Sequence, residues 1–178
     1  AQDVAEIWFC GAGSSAYIGE MIVAALEGAP GPRLRAIATT DLVARPQAYL
    51  GGSKPLVVSF GRSGNSTESI GTLDALDALA SDAPRLNITC NAGSALATRP
   101  ARHQQVIVLP EATHDAGFAM TSSFSTMLLT ALTIFDPTAN SAGIETVSNR
   151  LAELLPRFVA YAEASRIPDR AVFVGSGP

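Results

Sequence analysis

The residues best suited to chemistry in this chain lie in two loops of glycine and serine. The first, Gly11-Ala12-Gly13-Ser14-Ser15, follows the apolar run Ile7 to Cys10; the second, Gly61-Arg62-Ser63-Gly64-Asn65-Ser66, follows Leu56 to Phe60. Glycine lets backbone N–H groups come close to an anion, and serine adds hydroxyl donors without bulk. A helix N-terminus behind each loop adds about half a positive charge. Two such loops, each running into a helical pattern, predict a cradle for a phosphate held mainly by neutral donors.

Ser14, Ser15, Ser63 and Ser66 are the hydroxyl donors of that cradle, with Arg62 and Asn65 beside them. Each has a plainer alternative. Ser14, Asn65 and Ser66 are good helix caps, and Asn65 with Glu68 fits a capping box in its asparagine variant. For Glu68 the cap is preferred to a catalytic role. A cap needs one hydroxyl and these loops offer more, so the serines read as phosphate ligands. Arg62 either reaches the phosphate or stays solvated, and its backbone N–H is the more secure contact. His114 and Asp115 stand on a later loop, where surface hydrogen bonding is preferred to acid–base chemistry. Met120 and Phe124 read as core.

Short apolar runs must position these loops: Ile7 to Cys10, Leu34 to Ala38, Leu56 to Phe60, Leu86 to Cys90, Val106 to Leu109 and Val172 to Val174. Too short and too uniformly apolar for surface strands, they read as central strands covered on both faces. Helical patterns lie between them. Phe124, Met127, Leu128, Ala131, Leu132 and Phe135 mark one helix; Val147, Leu151, Leu154, Leu155, Phe158 and Val159 mark a second, with Pro156 predicting a kink or restart. Gly28 to Pro32 and Asp136 to Gly143 read as connections. Strand alternating with helix predicts a three-layer α/β/α sandwich around a doubly wound, five-stranded parallel sheet of flavodoxin-like order 2-1-3-4-5. In that order strands one and three are neighbours where the winding reverses, and ligands bind there, outside the carboxyl ends. The two Gly/Ser loops would face each other across that crevice, with Asn91 to Ser94 and Pro110 to Asp115 opening on the same edge.

Composition narrows the function. The 178 residues carry 16 Asp and Glu against 12 Lys and Arg, a net charge of −4, and the basic residues are scattered, which argues against nucleic-acid binding. Cys10 and Cys90 end apolar runs and read as buried free thiols of a reducing compartment. Two cysteines and two distant histidines do not make a metal site. No long apolar stretch predicts a membrane span or leader, so the expected location is the cytoplasm.

Gly11-Ala12-Gly13-Ser14-Ser15-Ala16 also satisfies the G-x-G-x-x-A dinucleotide fingerprint, with Asp41 as a possible ribose partner. That reading does not require the second serine loop, and Asp41 lies somewhat far along the chain, so it ranks below the phosphate cradle.

The pairing of Gly-Ser-Ser after strand one with Ser-Gly-Asn-Ser after strand three resembles the sugar isomerase (SIS) domain, a phosphosugar-binding fold, over nearly the whole chain. Ser59 to Ser66, Ile88 to Asn91 and Ala119 to Phe124 are most similar to the tagatose-6-phosphate ketose/aldose isomerase group, which includes galactosamine-6-phosphate deaminases. The resemblance implies that Ser15, Ser63 and Ser66 hold the sugar phosphate, helped by Ser14 and the backbone around Arg62 and Asn65, with Gly13, Met120 and Thr121 lining the substrate. The isomerising domain of glutamine-fructose-6-phosphate transaminase is similar but usually carries Thr-Lys where this chain has Thr121-Ser122, which favours the isomerase and deaminase group.

Members of that group carry two SIS domains in tandem. The run Arg170 to Val174 entering Gly175-Ser176-Gly177-Pro178 reads as the opening of a second one, so the expected organisation is an SIS domain over 1–165 and the start of another over 166–178. The group's enolising glutamate and ring-opening histidine belong to that second domain; within these residues only Glu68, His114 and Asp115 stand as weak catalytic candidates. The implied function is binding of a hexose or amino-sugar 6-phosphate by an enzyme that interconverts aldose and ketose phosphates, with or without ammonia release. The implied assembly is a homodimer, and no metal or organic cofactor is implied. The alternative from another class is a phosphosugar-sensing domain of a transcription regulator.

Overall fold

The computed structural model describes residues 4–175 apart from 53, 118, 137, 140, 167, 171 and 173. Among them five strands form one sheet: β1 (Glu6–Gly11), β2 (Arg33–Ala38), β3 (Leu56–Gly61), β4 (Arg85–Thr89) and β5 (Gln104–Val108). All neighbouring pairs are parallel and the order is β2-β1-β3-β4-β5, as expected. The helices are α1 (Ser14–Ala25), α2 (Thr39–Ala44), α3 (Pro46–Leu50), α4 (Thr67–Leu79), α5 (Ala95–Thr98), α6 (Ser122–Phe135) and α7 (Ser141–Ala164). The chain divides into two units, residues 1–131 and 132–178. The first contains the sheet and every element that bears on the site.

Strand alternation explains the layers. Trp8 and Cys10 of β1 point to one face, where Leu42 of α2, Leu50 of α3 and Leu76 of α4 complete a buried cluster with Ile37 and Val57. Phe9 points to the other face, against α1. There Gly19 lies so close to the Phe9 carbonyl that a Cβ would approach it to 2.9 Å, and the stacked rings of Phe9 and Phe60 continue the contact across β1 and β3. Side chains on both faces of β1, β3 and β4 are covered, which is why β1 and β3 are mostly apolar; β4 buries Arg85, Asn87 and Thr89 as well.

The edge strands depart from the expectation of central strands throughout. β2 and β5 are only partly covered along most of their length, and Val108 is left exposed, because each has a neighbour on one side only. Val172 and Val174 stand outside any strand and are exposed, while Phe173 lies outside the described residues. In the second unit α7 runs through Pro156 without a restart and begins at Ser141, within the stretch expected to be a connection.

Charge enters the framework at the edge opposite the Gly/Ser loops. Arg85 opens β4 with its side chain 1% exposed, and its Nη1 lies 2.7 Å from Asp77 of α4. None of its nitrogens makes a well-angled hydrogen bond, so the pair is held by charge. Arg99, just past α5, reaches Asp74 at 2.6 Å and the other oxygen of Asp77 at 2.9 Å, tying α4 and β4 to the end of α5.

Candidate functional site

The register Cys10↔Ser59 between β1 and β3 brings the two Gly/Ser loops side by side at the carboxyl end of the sheet. Each loop turns through a glycine that no other residue could replace without strain. Gly13 has φ +56° and leads into α1. Gly64 has φ +62° and packs so closely on Ser94 and Thr89 that a Cβ would collide with the Ser94 hydroxyl.

A cavity of about 210 Å³ opens between the loops. Of the expected residues, Gly13, Ser15, Arg62, Ser63, Ser66 and Met120 line it. Ser15 is buried at the start of α1, and among the described residues its hydroxyl has no hydrogen-bond partner. The Ser63 hydroxyl accepts only a long bond from the Asn65 N–H, at 3.4 Å. Both are free to donate to a ligand. Phe60, Glu68 and Ser69 also line the cavity; Phe60 and Ser69 were not singled out in the sequence.

The remaining expected ligands have other partners. Ser14 donates to the Met120 sulfur at 3.3 Å, fixing that wall. The Asn65 side chain accepts from the Ala95 N–H at 2.8 Å, and Asn91 donates to the Ser63 carbonyl at 3.1 Å, so both brace the second loop. Arg62 donates through Nη1 to the carbonyls of Gly117, at 2.8 Å, and Asp115, at 3.3 Å. Its guanidinium therefore ties down the segment after β5.

The cap of α4 corrects the sequence reading. Ser66 is the N-cap: its Oγ accepts from the Ser69 N–H at 3.2 Å and pairs with the Ser69 hydroxyl at 3.0 Å. Asn65 and Glu68 do not form the capping box, because α4 is capped one residue later, at Ser66, while the Asn65 side-chain oxygen is taken by the Ala95 N–H and the Asn65 N–H by the Ser63 hydroxyl. Glu68 is left half-buried in the first turn, with no side-chain hydrogen bond or ion pair among the described residues.

Asp115 caps α6. One of its carboxylate oxygens accepts from the Thr121 hydroxyl at 3.1 Å and the Ser122 N–H at 3.0 Å. The other accepts from the N–H groups of Thr121, at 3.1 Å, and Ser123, at 2.9 Å, and from the Ser123 hydroxyl. These bonds, the Ser123 hydroxyl foremost, hold its pKa well below the usual carboxylate range. A carboxylate so engaged is a structural anion and a poor proton acceptor. A local cap rule cannot find it, since Asp115 lies outside the helix and returns to it across a loop. Thr121 is held in this clamp and is not a wall of the cavity. His114 is exposed and lines, with Arg62, Glu111 and Asp115, a second, polar hollow of about 500 Å³ on the same edge.

Neither thiol is a nucleophile near neutral pH: burial pushes Cys10 up to about 12 and raises Cys90 as well, and both are unpaired. Asp41, the ribose partner of the dinucleotide alternative, is exposed on α2 and does not line the cavity. Among the described residues no three metal-ligating side chains come together, and no helix is long and apolar enough to cross a membrane.

The serine-lined cavity lies at the switch point of the doubly wound sheet, where α/β domains of this kind bind ligands. The SIS domain family model matches residues 2–135, and the chain belongs to that family. It is 40% identical over 176 residues to the D-galactosamine-6-phosphate deaminase AgaS of Shewanella sp. (strain ANA-3), covering 94% of this chain and 45% of that protein. It is 38% identical over 174 residues to the protein of the same name from Escherichia coli O157:H7, with the same coverage. The crystal structure of tagatose-6-phosphate ketose/aldose isomerase from Escherichia coli superposes with a TM-score of 0.81 at 37% identity, over 88% of this chain and 44% of that one. The chain thus spans less than half the length of these relatives.

Proposed function

We propose that this SIS domain binds a hexose or amino-sugar 6-phosphate, with the phosphate seated between Ser15, Ser63 and Ser66, as part of a ketose/aldose isomerase or amino-sugar-6-phosphate deaminase. The observation that carries the proposal is the cavity between the starts of α1 and α4 lined by Ser15 and Ser63, whose hydroxyls donate to no other group among the described residues. The names of the relatives support the sugar.

The reaction moves a proton between C1 and C2 through an enediol or enolamine, which requires a positioned base and a stabilised oxyanion. Seating the phosphate far from C1 fixes where the reacting carbons lie, so the cradle contributes orientation. Asp115 is bound into the α6 cap and His114 is exposed, which favours a base supplied by a second SIS domain; the relatives' greater length leaves room for one. The apolar residues exposed along α7, Val147, Leu151, Leu155 and Phe158, are in keeping with assembly into a dimer, and the two unpaired cysteines with the cytoplasm.

Calorimetry with galactosamine and its 6-phosphate tests the proposal. Each hydrogen bond to a charged phosphate is worth about 1.5–3 kcal/mol, so binding without it is expected to fall below detection. Equal affinity for the two sugars would overturn the reading.

A further inference from the structure

Glu68 is an anion in a cavity built for an anion. It lines the same space of about 210 Å³ as Ser15, Ser63 and Ser66, two residues beyond the cap of α4. The capping role that would explain it belongs to the Ser66 and Ser69 hydroxyls. Glu68 is half-buried, and among the described residues no arginine, lysine or backbone N–H pairs with its carboxylate. Arg62, in the loop that leads into α4, directs its guanidinium away to the carbonyls of Asp115 and Gly117.

A lone carboxylate beside a phosphate opposes binding by like-charge repulsion unless the same ligand brings a positive group to it. The start of a helix favours a carboxylate through the dipole, but that benefit is available on the solvent side of α4 as well and does not call for a place in the cavity wall. A sugar phosphate carrying an amine resolves the conflict, since it is an anion at one end and an ammonium at the other. We infer that Glu68 is a specificity residue that receives the ammonium of an amino-sugar phosphate and disfavours the neutral sugar phosphate of the same shape. The inference rests on the phosphate cradle proposed above and adds the group that reads the rest of the ligand.

The test compares galactosamine 6-phosphate, galactose 6-phosphate and inorganic phosphate by calorimetry at mildly acid pH, where the sugar amine is protonated. The wild-type protein is expected to prefer the amino sugar. Glu68→Gln is expected to lower that preference by about 10- to 160-fold, the range for losing one hydrogen bond to a charged group, while inorganic phosphate binds as well or better. Glu68→Asp, which keeps the charge and shortens the reach, should retain part of the preference. Both variants leave the Ser66–Ser69 cap in place, and unchanged melting temperatures would show it. A preference untouched by Glu68→Gln, with both sugar phosphates still bound, overturns the role of Glu68 and spares the cradle. Failure of wild-type protein to bind inorganic phosphate or either sugar phosphate overturns the cradle and this inference with it.

Discussion

Ser63 and Ser66 are both expected to donate to phosphate, yet the structure gives them different second roles, and substitution should separate the two. The Ser63 hydroxyl makes one long contact, 3.4 Å from the Asn65 N–H, in an exposed turn. Ser63→Ala should therefore leave stability nearly unchanged and remove one hydrogen bond to a charged group. That loss is about 1.5–3 kcal/mol, or a Kd raised by about 10- to 160-fold. Ser66→Ala removes a comparable bond and also the N-cap of α4, where Oγ accepts from Ser69 at 3.2 Å. Losing a serine cap costs about 1 kcal/mol, which for a domain of this size lowers Tm by about 2–4 °C. We predict similar losses of affinity for galactosamine 6-phosphate in the two variants, measured by calorimetry, and a fall in Tm in Ser66→Ala alone, measured by thermal unfolding. If Ser63→Ala melts as early as Ser66→Ala while its affinity holds, Ser63 is a structural residue and the cradle has been assigned to the wrong hydroxyls.

Two further predictions concern the charges that frame the sheet. Asp77→Ala strands the buried guanidinium of Arg85 and should cost about 3–5 kcal/mol in a denaturant titration, whereas Arg85→Met, which removes the buried charge itself, should cost little or stabilise; equal losses in both would show that the pair is not what burial makes it. Asp115 has a folded pKa below its unfolded value, so its contribution is complete above about pH 4 and is lost as pH falls through the folded pKa. Asp115→Asn should consequently show a shallower loss of stability in acid than wild type, and parallel stability curves would refute the assignment.

Much of the fold was legible because three strands are buried on both faces. Trp8, Phe9, Val57, Val58 and Ile88 are fully covered, and a strand covered on both sides is rich in apolar residues, even where, as with Asn87 and Thr89 of β4, buried polar side chains interrupt it. The expected order places strands two and five at the edges, yet their runs read as covered on both faces; β2 carries Arg35 and is only partly covered, because it has no partner beyond it. Val172 and Val174 lie in no strand among the described residues: β-branched residues favour a strand, but pairing depends on a partner strand that the local sequence does not supply. The helix through Pro156 shows how far one breaker residue can be overridden by the amphipathic pattern around it.

The site was less legible, for a different reason. Residue types announced a cradle, but they could not say which polar groups the fold would satisfy internally. Ser14, Asn65, Arg62 and Asp115 all looked available for ligand or proton transfer, and each has a partner that only the folded chain supplies: the Met120 sulfur, the Ala95 N–H, the Gly117 carbonyl and the first turn of α6. These contacts rigidify the walls without touching a ligand, which is how a site is preorganised. Set against them, the hydroxyls of Ser15 and Ser63 and the carboxylate of Glu68 line the same cavity and take no strong partner from among the described residues. A buried or half-buried polar group left unmatched costs free energy unless a ligand meets it. Two donors and one acceptor left open therefore describe the complement of this site, an acceptor-rich anion joined to a donor, and an amino-sugar phosphate has both ends.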